Sequence, residues 1–192
     1  MRGKFNRERL VLAAMQNVNQ LYFMMDTQFE GIYQADAAER KREYGENVIK
    51  FSSTRADTSS LTCSLKELHD LLGEMARQKS AVFRKGMDLY SEIDSRDVVP
   101  GDMLFLTSGD IVPADVRIIY EREFYVDQKL FSGSAESVRK DHSLNGYTCS
   151  MFSIVDIPDI CLMGCRVTGG VAKAVAIGTG SATYLGKLIY GY

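Results

Sequence analysis

Apolar residues recur at steps of three and four along residues 5–25. Leu10, Leu12, Ala13, Val18, Leu21 and Met25 share one face, with Asn and Gln on the other. This spacing predicts an amphipathic helix. A second helix is predicted from Gln34, where Asp36, Glu39 and Glu43 alternate with Arg40, Lys41 and Arg42 on a solvated face until Gly45 ends it. Residues 51–64 are rich in Ser and Thr and read as a linker. Ser64, with Glu67 three positions on, forms a capping-box signature. It opens a helix over Leu65–Gln78 whose apolar face carries Leu65, Leu68, Leu72, Met75 and Ala76.

After Lys79 the period shortens to two. Ala81–Arg84 and Met87–Tyr90 predict a hairpin turning at Lys85 and Gly86. A Pro-Gly turn at Val98–Asp102 precedes a strand over Met103–Leu106. Thr107–Asp110 turns again, and Pro113 makes Ile111–Asp115 an extended edge or bulge. Strands over Val116–Tyr120 and Phe124–Asp127 flank a charged turn at Glu121, Arg122 and Glu123. Met163–Thr168 and Val171–Gly178 give two more strands, and Thr179, Gly180 and Ser181 open a closing helix over Tyr184–Ile189. Many short strands with regular turn signals predict a mainly β domain with flanking helices, an α+β chain built on a distorted jelly roll or small β-barrel. The implied organisation is a helical leader at 1–50, a linker at 51–64 and a β domain at 65–192.

Composition narrows the function classes. A hydrophobic fraction of 45%, a charged fraction of 25% and a net charge of −2 describe an ordinary globular chain with no basic field for nucleic acid. No window reaches the roughly 18 apolar residues of a membrane span, so the chain is expected in the cytoplasm. Cys63, Cys149, Cys161 and Cys165 lack the C-x-x-C spacing of zinc and redox sites and read as reduced structural thiols. His69 and His142 stand apart from other ligand types, so no metal site is expected. No cofactor is expected either: the glycines at 178–180 lack the Gly-Lys-Ser/Thr of a phosphate-binding loop. Asp102, Asp110 and Asp115 read as caps of their own turns, and Arg139–His142 as a solvated charge run.

Val99-Pro100-Gly101-Asp102, then Gly109-Asp110-Ile111-Val112-Pro113-Ala114-Asp115, then Val126-Asp127-Gln128 stand in an order and spacing that resemble the actuator domain of P-type cation-transporting ATPases. Leu162–Val175 is similar to that family's strand pair after its catalytic loop, and Ala176–Lys187 to its ending before a third membrane helix. Ala37–Asn47 is similar to the leader before the first membrane helix, and the overall flavour is closest to the magnesium-transporting branch. The resemblance covers roughly residues 27–50 and 65–190.

Two departures shape what this resemblance implies. The membrane helix pair of the family is replaced by segment 51–64, and no Asp-Lys-Thr-Gly-Thr phosphorylation motif occurs. The family's loop carries Thr-Gly-Glu-Ser, whose Glu activates the water that attacks an aspartyl phosphate. A gapless match puts Ser132, Gly133, Ser134 and Ala135 there, so the general-base carboxylate is lost. The alternative, an insertion followed by a deletion, keeps Glu136 as the working carboxylate. The resemblance thus implies a non-catalytic binding module, partnered by a phosphorylation domain or another protein chain, or else a fragment of a cation ATPase that aids hydrolysis in the whole pump.

Overall fold

A computed structural model describes residues 6–50, 61–86, 90–143 and 153–191. Residues 51–60 of the expected linker, Met87–Leu89 of the expected hairpin, and Cys149 lie outside them.

The N-terminal apolar stripe forms two helices instead of one, α1 (Arg7–Met15) and α2 (Val18–Met25). The cause is local. Asn17 leaves the helix in extended backbone and its side chain accepts from Gln20 N at 3.0 Å, while the Gln20 side chain accepts from Asn17 N at 3.2 Å. A capping box outcompetes helix continuation because Asn bonds backbone more cheaply at a cap than inside a helix. Helix α3 (Gln34–Tyr44) is charged nearly all round, buries Ala37, and ends at Gly45 as the sequence predicts. Helix α4 (Leu65–Arg77) starts at Ser64 through the predicted capping box and buries Leu68 and Met75.

Among the described residues, seven strands form one antiparallel sheet. They are β1 (Lys79–Phe83), β2 (Ser91–Asp94), β3 (Met103–Thr107), β4 (Asp115–Asp127), β5 (Ser137–Arg139), β6 (Ile160–Cys161) and β7 (Arg166–Gly178), in the order β2-β1-β3-β7-β4-β5 with β6 also on β4. With its flanking helices the sheet bears out the α+β expectation. Three local readings are corrected. The hairpin partner of β1 is β2, which begins at Ser91, so that Val82 pairs with Ser91 and Lys79 with Asp94. The charged triplet Glu121–Glu123 does not split β4. The strand runs on through it by bulging, with Glu123 at φ 51° opposite Gly170 at φ 70° in β7. Likewise the Gly169-Gly170 pair lies inside the single strand β7 and does not separate two strands.

The main core lies between the long strands and the first two helices. Leu10, Ala13 and Ala14 of α1 and Leu21 and Met25 of α2 join Val116, Ile118, Phe124, Val126, Ala174 and Val175 of the sheet. A second cluster joins Leu68 and Met75 of α4, Ile111 and Met163 to Leu185 and Ile189 of α6 (Tyr184–Tyr190). Each fully buried large side chain contributes roughly 1.5–3 kcal/mol.

Polar groups fix how these layers meet. Asn47 is buried; its amide donates to Ser95 O at 2.9 Å and Pro113 O at 2.8 Å and accepts from Gly180 N at 2.7 Å. Asp102 and Asp110 cap their turns, accepting from Val99 N at 2.9 Å and Thr107 N at 2.7 Å. Asp115 instead bridges distant segments, accepting from Met163 N at 2.9 Å and Tyr184 N at 2.6 Å. Arg40 is no solvated helix charge: its guanidinium donates to Met25 O at 2.9 Å and Pro100 O at 2.8 Å. Lys140 leaves the expected solvated run altogether. It is buried, and its ammonium donates to the carbonyls of Val155 and Ile157, each at 3.1 Å.

Candidate functional site: the loop between strands β4 and β5

The loop expected to carry chemistry spans Gln128–Glu136. It joins the end of β4 to β5, where Asp127 pairs with Ser137 and Val126 with Val138. Its first half is anchored. Asp127 Oδ1 accepts from Lys129 N at 2.7 Å, and the short helix α5 (Lys129–Ser132) follows. Gln128 is buried, Phe131 packs on the Tyr184 ring with centroids 5.6 Å apart, and Leu130 packs in the second core cluster. Gly133 then ends the helix at φ 75°, a left-handed conformation that suits a residue without Cβ.

The second half is exposed and built from hydroxyls. Ser132 Oγ donates to Gln128 O at 3.2 Å and accepts from Ser134 N at 3.2 Å. Ser134 Oγ accepts from Glu136 N at 3.2 Å. Ser137 Oγ meets Thr168 Oγ1 at 3.0 Å, tying the loop's exit to β7. Ala135 and Glu136 are exposed. The serines at the tip therefore hold the turn. A neutral hydroxyl in this role can donate to an anion but cannot take a proton from water near pH 7. The one carboxylate of the tip is Glu136, two residues beyond Ser134.

A segment outside the expected site closes over its base. Thr62 donates through its backbone N–H to Leu130 O at 3.2 Å and through its hydroxyl to Lys129 O. Between this segment and the sheet lies a cleft of about 300 Å³, lined by Thr62, Cys63, Glu67, Asp127, Lys129 and Arg166 among others. Its charges are largely engaged. Arg166 donates to both carboxylate oxygens of Glu74, at 3.2 and 2.8 Å, which raises the arginine and lowers the glutamate from their ordinary ranges. The Ser64 backbone and hydroxyl hold the Glu67 carboxyl low, and burial pushes the Cys63 thiol up. Nothing in the spacing of the sequence marks Thr62 as a neighbour of Lys129, because the contact spans 67 residues.

The expected structural thiols behave as such: Cys161 and Cys165 are buried, burial pushes Cys161 up to about 11, and Cys165 is pushed up further. His142 is not isolated. The fold brings it beside Asp141 and Glu121.

The antiparallel sheet, its flanking helices and the exposed β4–β5 loop together define an α+β domain of the actuator type. Residues 74–191 match the family model of the P-type ATPase actuator domain, and the chain belongs to that family. It is 33% identical over 123 residues to a magnesium-transporting P-type ATPase of Escherichia coli strain K12, covering 62% of this chain and 14% of that protein. A magnesium-transporting ATPase of Salmonella typhimurium strain LT2 is 37% identical over 129 residues, covering 61% of this chain and 14% of the relative. A calcium-transporting ATPase of Bacillus subtilis strain 168 is 32% identical over 117 residues, covering 61% and 13%. The chain thus spans about a seventh of the length of these relatives. Among the described residues, no helix is long and apolar enough to cross a membrane.

Proposed function

We propose that this chain is a non-catalytic actuator-type module that docks on a phosphorylation domain, or on another protein chain, at the cytosolic face of a membrane. The observation that carries the reading is the loop tip. Ser132 ends α5, Gly133, Ser134 and Ala135 form the turn after it, and the hydroxyls are spent on backbone N–H groups and a carbonyl. Such a tip can approach a phosphate as a hydrogen-bond donor without supplying the base that hydrolysis needs. The magnesium-transporting relatives favour a partner of that branch.

A second reading rests on Glu136. Its carboxylate is exposed and stands at the exit of the same loop, so the chain could contribute to aspartyl-phosphate hydrolysis as part of a larger pump. One experiment separates the two. The chain is mixed with an aspartyl-phosphorylated phosphorylation domain of a P-type ATPase, and the loss of acyl phosphate is timed. The first reading expects binding with no acceleration, and a gain of about tenfold or more from Ser134→Glu, which places a general base on the turn. Acceleration by the unaltered chain that Glu136→Gln abolishes would establish the second reading instead.

A further inference from the structure

With the Arg117–Asp159 ion pair set aside, one buried side-chain nitrogen or oxygen among the described residues lacks a hydrogen bond: Nδ1 of His142. The ring as a whole is 41% exposed, yet this atom is turned inward. It faces Glu121, whose Oε1 is 3.5 Å away. The Glu121 side chain is only 9% exposed and makes no hydrogen bond among the described residues. A carboxylate so little exposed is favoured by a positive charge beside it. Asp141 completes the group: one ligand atom from each of Glu121, Asp141 and His142 lies within 4.8 Å of the others.

The scaffold beneath these three groups is stiff. Glu121 stands on β4 opposite Ala172 of β7. Lys140 N donates to Phe124 O and Asp141 N to Pro158 O, both at 3.0 Å, so the backbone leading to His142 is fastened on two sides. Asp141 Oδ1 accepts from Ser143 N at 2.8 Å, and the Ser143 backbone and side chain together orient the carboxylate. Glu121 is thus carried on a paired strand, while Asp141 and His142 follow β5 on backbone fastened by hydrogen bonds, and ligands held in this way keep their geometry.

We propose that Glu121, Asp141 and His142 form a three-ligand site for a divalent transition cation of the zinc class, with a fourth position open to water or to a partner's side chain. One imidazole and two carboxylates suit zinc, with bonds of about 2.0–2.2 Å. Tetrahedral geometry then sets neighbouring ligand atoms about 3.3 Å apart. The 3.5 Å between His142 and Glu121 already matches that edge. Asp141 has at most about 1.5 Å to close, starting from the 4.8 Å bound. Magnesium, which wants six oxygens and keeps its waters, is a poor fit to the imidazole. The site lies on different residues from the β4–β5 loop and does not depend on how that loop acts.

The test uses the full chain and the metals alone. Titration calorimetry with zinc chloride, in excess magnesium, is expected to show one zinc per chain and a melting temperature raised by several degrees. Cobalt(II) is expected to give a visible spectrum free of a thiolate charge-transfer band. Glu121→Gln and His142→Ala should each weaken zinc binding by about tenfold or more, since loss of a ligand exceeds the loss of an outer-shell partner. Both variants should keep the wild-type circular dichroism, and Cys63→Ser should bind as wild type does. A thiolate band, equal binding by His142→Ala, or no zinc uptake by the wild-type chain would each overturn the proposal. The last result would leave Glu121 and His142 as a plain ion pair.

Discussion

Asp102→Asn is the sharpest test of how this fold is held. The aspartate of the Pro-Gly-Asp turn takes three donors: Arg84 Nε at 2.8 Å, Arg84 Nη2 at 2.7 Å and Val99 N at 2.9 Å. The two side chains are 4% and 0% exposed. Arg84 also donates to Asp97 O at 3.0 Å and to Gln34 Oε1 at 3.1 Å, so one ion pair joins β1, the turn before β3, the segment after β2 and α3. Asparagine keeps the shape, removes the charge and turns an NH₂ toward a guanidinium that also only donates. Breaking one side of a buried pair costs about 3–5 kcal/mol, a large share of the roughly 5–15 kcal/mol that holds a domain together. At about 2–4 °C per kcal/mol for a chain of this size, the melting temperature should fall by roughly 10 °C or more. Urea and thermal unfolding followed by circular dichroism measure this directly. Arg84→Met combined with Asp102→Leu should recover most of the loss, because no buried charge is then left alone. If Asp102→Asn falls within about 1 kcal/mol of wild type, or the paired change costs the sum of its parts, the reasoning is wrong.

Burial pushes the Asp115 carboxyl up to about 7, against the pull of the Met163 and Tyr184 amides. The folded chain therefore holds a proton that the unfolded chain, titrating near 3.9, releases first. The contribution of this group is full below about pH 4 and is lost as pH rises through 7, by at most about 4 kcal/mol; Asp159, pushed by burial up to about 6, adds in the same direction. The urea midpoint of wild type relative to that of Asp115→Asn, followed from pH 4 to 8, should fall as pH rises, because only the wild type loses this contribution; a constant difference would refute the assignment. Gly170→Ala should cost more than about 3 kcal/mol, because its Cβ would sit 2.0 Å from Glu123 O and 2.3 Å from Arg122 O. Gly109→Ala, with nothing within 4 Å at φ 100°, should cost only backbone strain of about 1–2 kcal/mol, so equal melting temperatures for the two variants would contradict the bulge geometry.

What the sequence reveals follows the range of the force involved. Ser64 and Glu67 act across three residues, and both the cap and the helix after it are readable. The Asn17–Gln20 cap has the same range and the same kind of signal, but the continuing apolar stripe hides it. The charges of Glu121–Glu123 look like a turn because a bulge is defined by the strand opposite, and Gly170 lies 47 positions after Glu123. Lys140 and Arg40 read as solvated for a similar reason: their acceptors, at Val155, Ile157, Met25 and Pro100, are set by packing. At the loop, the hydroxyl-rich tip is plain in the sequence. Its clamp by Thr62 and the meeting of Glu121 with His142 arise only once β4 and its neighbours are in place.

The Tyr190 hydroxyl accepts from Lys50 N at 2.9 Å and donates to Lys50 O at 3.1 Å, while Asn47 holds Gly180. The stretch that follows α3 is thus tied at two places to the segment that holds α6, through Gly180 ahead of the helix and Tyr190 at its end. A pull on either segment therefore loads the other through hydrogen bonds that span 133 and 140 positions of sequence.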